Sequence, residues 1–595
     1  MSPAPFLNVA KSTTGRFWQA RPVDEQLAAS HARRLGAHEL VGRLLAGRGV
    51  SLDECELFLN PTLKALFPDP STFVDMDKAA GAILDAIVSG RPTAVFADYD
   101  VDGGTSAAQL ARYFRAWSRE LILYVPDRLM EGFGPTPFAF RKLKEIGAEL
   151  VVTVDCGAAA IEALRTANEI GLDVVVIDHH LMHDERTPKT LALVNPNQPG
   201  DTSGCGHLAA AGVVFVLIVA MNRLARERNI APPGGLPDPM AWLDLAALGT
   251  LCDMAPLKGI NRAFVTRGLA VLGRQDNAGL KALAQVAGIE APKGVYDATF
   301  VLGPRLNAGG RIGDPWLAAK LLATDDRAEA LRLAEQLHAL NAARREVEAD
   351  ILRLAIKQAE DRLAVKPDAG VLLAAGEGWH PGVIGIVAGR LKDKFHRPAI
   401  VVGWGEGLGP VARGSGRSVA GVNLGDLVHD AASEGLIITG GGHAMAAGLS
   451  MDPARLPELR DFLESRTAGQ FAEREQAKVL EIDGALGPGA ATMDLFEIVQ
   501  QLGPFGSQAP EPLFAIPRIR IPHTRRVGEN HIAFEMTGED GAKLRAISFR
   551  TADTDAGAAL QSGAPLHLAG RLKADEWRGG KAVQFEVVDV AVAES

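Results

Sequence analysis

Cysteine is scarce in this 595-residue chain: there are four, Cys55, Cys156, Cys205 and Cys252, with no CxxC among them. That spacing indicates neither a disulfide framework nor a zinc ribbon, and it fits a reducing cytoplasm. Long apolar runs are missing as well. The longest, LAAAGVVFVLIVAM at 208–221, is too short to cross a bilayer and reads as a buried helix. The opening MSPAPFLNVAKSTTGRFW lacks the apolar stretch of a signal peptide. Positive charge is not in excess either: 62 Lys and Arg against 72 Asp and Glu leave a net charge of -10. A surface coated in basic residues is thereby disfavoured, while local basic clusters and acidic sites neutralised by metal remain open. No GxxxxGK[ST] loop occurs, so an ATP-driven motor is unsupported.

The length calls for several domains, and the composition is that of a soluble, loop-rich globular protein. Residues 76–197 alternate short β-rich runs (PTAVFA, ELILYV, ELVVTV, LDVVVI, LALV) with helix-like segments, the pattern of a mostly parallel sheet covered on both faces. Each run is followed by polar residues: DYDVDGG, PDR, DCG, DHH and NPN. Open α/β sheets bind ligands at the carboxyl ends of their strands, so these groups converge on one rim. Helical spacing over 1–75 predicts an N-terminal helical subdomain. From Asp326 to Leu363 no Gly or Pro interrupts the chain, which predicts a helix roughly 55 Å long able to bridge two lobes. Residues 368–455 return to a glycine-rich α/β pattern, and short strands over 478–595 predict an OB-like β-barrel. The expected division is 1–75, a catalytic domain over 76–265, a helical connector over 266–365, a second α/β domain over 366–465 and the barrel over 470–595.

Asp98, Asp100 and Asp102 fall within five positions at the end of an apolar run. Like charges at the mouth of a buried sheet repel one another, and a divalent cation removes that cost. Asp155 in VTVDCG, His179 and His180 in VIDHH, and Asp253 in LCDMAPL add carboxylate and imidazole groups at similar turns. A single DxD is more often a turn or a cap, but the joint placement of these groups favours a metal site. Ligation by carboxylate and imidazole suits Mn2+ or Mg2+, and this many acids can hold two ions. Cys156 and Cys252 read as buried small side chains. Two-ion sites hydrolyse phosphoesters, and the glycines of DGGTS at a helix start admit an anionic phosphate closely.

With the four motifs in this order the chain resembles the DHH phosphoesterase superfamily, named for motifs such as Asp178-His179-His180. YVPDRLMEGFG, LGPRLNAGGRIGD, GWHPGVIGIVAGRL, GSGRS, GGGHAMAAG and LGPFGSQAPEPLF resemble the bacterial RecJ branch, the single-strand-specific 5'→3' exonucleases. This resemblance implies a DHH-type parallel-sheet domain and a DHH-associated α/β domain joined by the long helix, with the OB-like barrel following. It implies Asp100, Asp102, Asp155, His179 and Asp253 as metal ligands with Asp98 close by, His180 on the phosphate and Asp178 orienting the histidines. It also implies single-stranded DNA as substrate, mononucleotides as products, a role in recombination and repair, and a single-strand-binding protein and a RecQ-type helicase as partners. The chain departs from the pattern at Ala97, where a glycine is expected, and at Gly104, where an alanine is expected.

WHPGVIGIVAGR, RGSGRS and GGGHAMAAG combine glycine turns with His380, Arg390, Arg413, Ser415, Arg417 and His443, groups that can hold phosphates. Arg128, Arg305 and Arg311 are further anion-binding candidates. Of these, Arg128, Arg311, Ser415 and Arg417 are the expected contacts of a terminal 5'-phosphate. On the barrel, Arg518, Arg520, Arg525 and Arg526, with Lys573, Trp577, Arg578 and Lys581, suggest a track for a single strand. Other readings of the chain are a small-molecule or short-oligonucleotide phosphodiesterase and a noncatalytic scaffold.

Overall fold

The computed structural model describes residues 4–127, 131–132, 134–182, 187–405, 411–467, 478–575 and 579–593. The chain forms two compact units, one of Phe67–Pro256 with Ala263–Glu473, the other of Met1–Leu66, Leu257–Arg262 and Arg474–Ser595.

The larger unit begins with β1 (Thr93–Ala97), α1 (Val101–Ala116), β2 (Ile122–Tyr124), β3 (Leu150–Val154), β4 (Asp173–Ile177) and β5 (Ala192–Val194). These strands make one parallel sheet in the order β2-β1-β3-β4-β5. Every residue of β1 and β3 is buried, which is why these runs are apolar without alternation. The chain then passes through α2 (Ala210–Glu227), α3 (Leu243–Cys252) and α4 (Gly303–Ile312) to α5 (Arg327–Val365). The apolar run at 208–221 is the buried body of α2.

Helix α5 is 39 residues long, is preceded by Asp326, whose carboxylate caps the N–H groups of Ala328 and Glu329, and ends two residues before Pro367. Its early turns bury Leu333 and Leu337, and its late turns bury Ile351, Ala355 and Ala359 against the second lobe. That lobe comprises β6 (Leu372–Glu377), α6 (Pro381–Phe395), β7 (Ala399–Trp404), β8 (Ala412–Arg417), β9 (Thr439–His443) and β10 (Ala446–Met451), with the sheet in the order β9-β10-β8-β7-β6. The Gln358 amide of α5 closes the β6 edge by donating to the Ala375 carbonyl (2.8 Å) and accepting from its N–H (2.9 Å).

In the smaller unit the strand Arg16–Ala20 pairs in parallel with Lys478–Ile482. Trp18 is fully buried and donates Nε1–H to Asp589 at 2.9 Å. Val41, Leu44 and Leu45 share a core with Phe514, Ile516 and Phe585 of a seven-stranded sheet. Arg520 and Thr537 exchange both backbone hydrogen bonds across that sheet, curling it into the expected barrel. The helices before Phe67 therefore bury apolar faces on the barrel, whereas the segment from Phe67 to Pro256 belongs to the larger unit. Helices of 8 and 11 residues, Glu39–Ala46 and Glu25–Leu35, expose too much surface to form a core by themselves.

The two glycines at the start of α1 differ in kind. A Cβ at Gly103 would lie 2.3 Å from the Asp98 carbonyl oxygen, so that position admits no side chain. A Cβ at Gly104 would make ordinary contacts at 3.7 Å with Ala318. Gly104→Ala is therefore expected to raise stability by about 0.5–1 kcal/mol through helix propensity, measured as a higher Tm; a lower Tm would contradict the room seen there.

Candidate metal centre

Asp98, Asp155 and Asp178 each stand one residue beyond a strand, and each continues the ladder through its backbone N–H. Asp98 donates to Val154 O (3.3 Å), Asp155 to Ile177 O (3.0 Å) and Asp178 to Val194 O (3.0 Å). The sheet thus holds three carboxylates in register. The strand order reverses between β1 and β3, the switch point where such sheets open a crevice, and the Asp98–Asp102 run and Asp155 flank it. Asp155 adopts the left-handed region (φ 61°), which Asp and Asn tolerate better than most residues.

Asp100 caps α1 by accepting from the N–H groups of Asp102 (2.9 Å) and Gly103 (3.1 Å). Asp102 is buried and accepts from Ala210 and Ala211 (2.7 and 2.8 Å) at the start of α2. Asp253 follows α3. Ligand atoms of Asp98, Asp100 and Asp155 lie within 4.8 Å of one another, as do those of Asp102, His179 and Asp253, and those of Asp155, His179 and His180. Each of these three overlapping sets offers the oxygen and imidazole donors that could hold Mn2+ or Mg2+. Electrostatics agrees: burial and the charges of Asp253 and Asp100 push the Asp102 carboxyl well up, and burial with the charge of Asp100 raises Asp253 to about 7. Burial also raises the thiols of Cys156 and Cys252, which stay protonated and leave the oxygen donors uncontested.

The adjacent histidines take opposite charge states. Burial lowers His179 to about 4, so it is a neutral imidazole, with Nε2 3.1 Å from Asp155 and 3.7 Å from Asp102. His180 is raised to about 9, chiefly by the 2.7 Å hydrogen bond from its Nδ1 to Asp178, and stays cationic at neutral pH. Burial alone would raise Asp178, but that bond, the His180 charge and the N–H groups of Ala158 and His180 bring it to about 2. Asn195 and Asn197 donate to the backbone carbonyls of His180 (2.9 Å) and His179 (2.6 Å), holding the DHH turn. Polarity at this strand end was legible in the NPN run; its clamping role was not.

Proton linkage gives a prediction. Without metal, Asp253 keeps a proton between pH 4 and about 7 that the unfolded chain has already released, so in that window stability falls as pH rises. Metal ions need the deprotonated carboxylates. Mn2+ should raise the Tm strongly at about pH 8 and only weakly at about pH 5.5; equal shifts at both would contradict the crowded-carboxylate account.

A cleft of about 1150 Å³ opens beside these acids, lined by Tyr99, Asp100 and Cys252, by Asn307 and Arg311 of α4, and by Arg413, Ser415 and Arg417 of β8 with glycines 440–442 of β9. Along β8, Ala412, Gly414 and Gly416 are buried, whereas Arg413, Ser415 and Arg417 are half-buried on the cleft face, as a period of two requires. Gly385 allows this packing, because a Cβ there would fall 2.9 Å from Ser415 Oγ. Arg311 Nη1 donates to Gly382 O (3.1 Å). The remaining candidates lie elsewhere. Arg305 donates to Val301 O (2.6 Å) in the turn that precedes its helix and to His338 Nδ1 (3.3 Å). His380 caps α6, its Nδ1 accepting from Gly382 N–H (3.0 Å). His443 is exposed on β9, and its Nδ1 accepts from Met445 N–H (3.3 Å). Arg390 approaches Glu348 (3.5 Å). Arg128, Trp577 and Arg578 lie outside the described residues. On the barrel Arg518, Arg526 and Lys573 pair with Glu539, Asp553 and Glu511. Sequence reasoning missed Tyr99 and Asn307, although the first lies between two of the aspartates.

Three family models match the chain: the DHH family, N-terminal domain over residues 92–250, the DHHA1 domain over 368–469 and the RecJ OB domain over 482–589. The chain is 34% identical over 580 residues to the single-stranded-DNA-specific exonuclease RecJ of Bacillus subtilis, covering 97% of this chain and 71% of that protein. With the Escherichia coli enzyme of the same name it is 34% identical over 570 residues, covering 93% and 95%. The crystal structure of RecJ in complex with Mn2+ from Thermus thermophilus matches with a TM-score of 0.78 at 30% identity, covering 97% of this chain and 79% of that one. The Mg2+ complex from the same organism matches with a TM-score of 0.73 at 28% identity, covering 97% and 78%.

Proposed function

The chain belongs to the RecJ family of single-stranded-DNA-specific exonucleases, and from that premise we propose that the acidic cradle and its cleft release mononucleotides from the 5' end of a single strand. It is a metal-dependent hydrolase of phosphodiester bonds. The observation that carries the site assignment is the continuity of one cleft from Asp100 to Ser415 and Arg417.

Asp98, Asp100 and Asp155 would hold one ion in this reading, and Asp102, His179 and Asp253 the other. When bound, the two ions supply positive charge at the scissile phosphate and make an attacking water more acidic. The neutral state of His179 leaves a lone pair for ligation. Cationic His180, its Nδ1–H held by Asp178, presents Nε2–H to a phosphate oxygen and stabilises the charge that builds up during in-line displacement. Arg413, Ser415 and Arg417 grip the terminal 5'-phosphate from the far wall, with Arg311 beside them. Anchoring one phosphate on β8 while the next meets the acids selects a one-nucleotide step and a 5' start. The DHH-associated lobe thus measures the end.

No described helix is long and apolar enough to cross a membrane. The reading puts the enzyme in the cytoplasm, acting in recombination and repair alongside a single-strand-binding protein and a RecQ-type helicase. With Mn2+, purified protein is expected to convert 5'-phosphorylated single strands to 5'-mononucleotides and to spare blunt duplex. Release beginning at the 3' end, or equal digestion of duplex, would overturn it.

A further inference from the structure

Six residues, Asp297–Leu302, form a π-helical turn that runs directly into α4. Such turns widen a helix and re-aim the side chains around them, and they recur at functional sites. Here Tyr296 and Phe300 project outward, 70% and 64% exposed, with ring centroids 5.4 Å apart. Two large rings left in water against each other forgo the burial that normally fixes aromatic residues. The turn also abuts the metal centre. The thiol of Cys252, the residue before Asp253, lies 3.9 Å from the Ala298 carbonyl, and a Cβ at Gly303 would come within 2.8 Å of it. Further along the same helix, Asn307 and Arg311 line the cleft. On the same helix, Arg305 donates to the Val301 carbonyl of the π turn at 2.6 Å.

Exposed aromatic rings at one end of a helix whose Asn307 and Arg311 line a phosphate-binding cleft are the chemistry that holds a single-stranded nucleic acid: rings for the bases, the cation for the backbone. We infer that Tyr296 and Phe300 form a base-stacking platform for the strand on the 3' side of the scissile bond, an inference that rests on the nuclease reading above. The terminal phosphate is taken by β8, beside Arg311 in the last turn of α4, and Gly303 at the other end of that helix packs on Cys252, so the rest of the strand leaves along α4 towards the π turn. A protein partner would satisfy the rings but would have no use for their continuity with the cleft.

The test is steady-state hydrolysis of 5'-phosphorylated strands of two and twelve nucleotides by the full chain with Mn2+. The Tyr296→Ala/Phe300→Ala double variant should raise the ratio of the long-strand KM to the dinucleotide KM by about 10- to 100-fold, and the Tyr296→Trp/Phe300→Trp variant should restore it. The unaltered protein should lose the same factor on a strand with abasic residues 3' of the scissile bond, and the double variant should lose nothing further on it. A ratio that does not move, or a double variant that loses as much again on the abasic strand, overturns the platform. An unaltered protein that digests duplex and single strands equally overturns the single-strand-specific reading instead, so the two failures are distinguishable.

Discussion

Asp155→Asn is expected to abolish hydrolysis while making the metal-free protein more stable. Asp155 is 3% exposed, and burial together with the charges of Asp102, Asp100 and Asp98 drives its carboxyl well above the usual range. An amide of the same shape removes one of four crowded charges and keeps an oxygen near His179 Nε2. It also suits the backbone, because Asn adopts φ near 61° readily, whereas Ala there would add about 1 kcal/mol of strain. The metal-free Tm should therefore rise for Asn at about pH 8. Activity should move the other way. A bound ion contributes several kcal/mol at the transition state, and with about 1.4 kcal/mol per tenfold in rate a lost ligand costs roughly a thousandfold in kcat. Melting with and without Mn2+, alongside turnover of a single strand, checks both. Unchanged turnover would remove Asp155 from the metal set, and a lowered metal-free Tm would show that its charge is compensated in the fold.

What was legible in the sequence is what local physics decides. A fully buried parallel strand must be an unbroken apolar run, so the acids that follow β1, β3 and β4 stand out as its ends. A stretch without Gly or Pro that opens on an aspartate gave α5 to within one residue at its start and two at its end. Contacts between distant segments were not legible. Nothing in RFWQA says that it pairs with KVLEI more than four hundred residues on. Side-chain direction was only half read. Arg305 and Arg311 share one motif, yet six residues on a helix separate them by about 120°, and only Arg311 reaches the cleft. His380 precedes Pro-Gly at a helix start, a position that favours capping over ligand binding, and the structure uses it as a cap.

The cleft needs the second lobe held to within a fraction of an ångström, and Gly382→Ala should separate that requirement from metal binding. Gly382 lies in the first turn of α6, and a Cβ there would stand 1.9 Å from the carbonyl oxygen of Arg311, 2.8 Å from its carbon and 3.1 Å from its Cα. All three are backbone atoms of the last turn of α4, so no side chain can swing away and α6 itself must shift. The shift breaks the Arg311 Nη1 to Gly382 O bond and moves Gly385, against which Ser415 and Arg417 pack. A misplacement of about 1 Å costs on the order of a hundredfold when catalysis depends on positioning, and kcat/KM on 5'-phosphorylated strands should fall by about that factor. The candidate ligands all belong to the first lobe and its following helices, so the rise in Tm on adding Mn2+ should persist, though from a lower metal-free Tm. The opposite signs expected for Gly104→Ala and Gly382→Ala have one cause, the space a single methyl group meets. Full activity of Gly382→Ala would mean that the strand is positioned without β8, and a lost response to Mn2+ would mean that the second lobe helps to shape the metal centre.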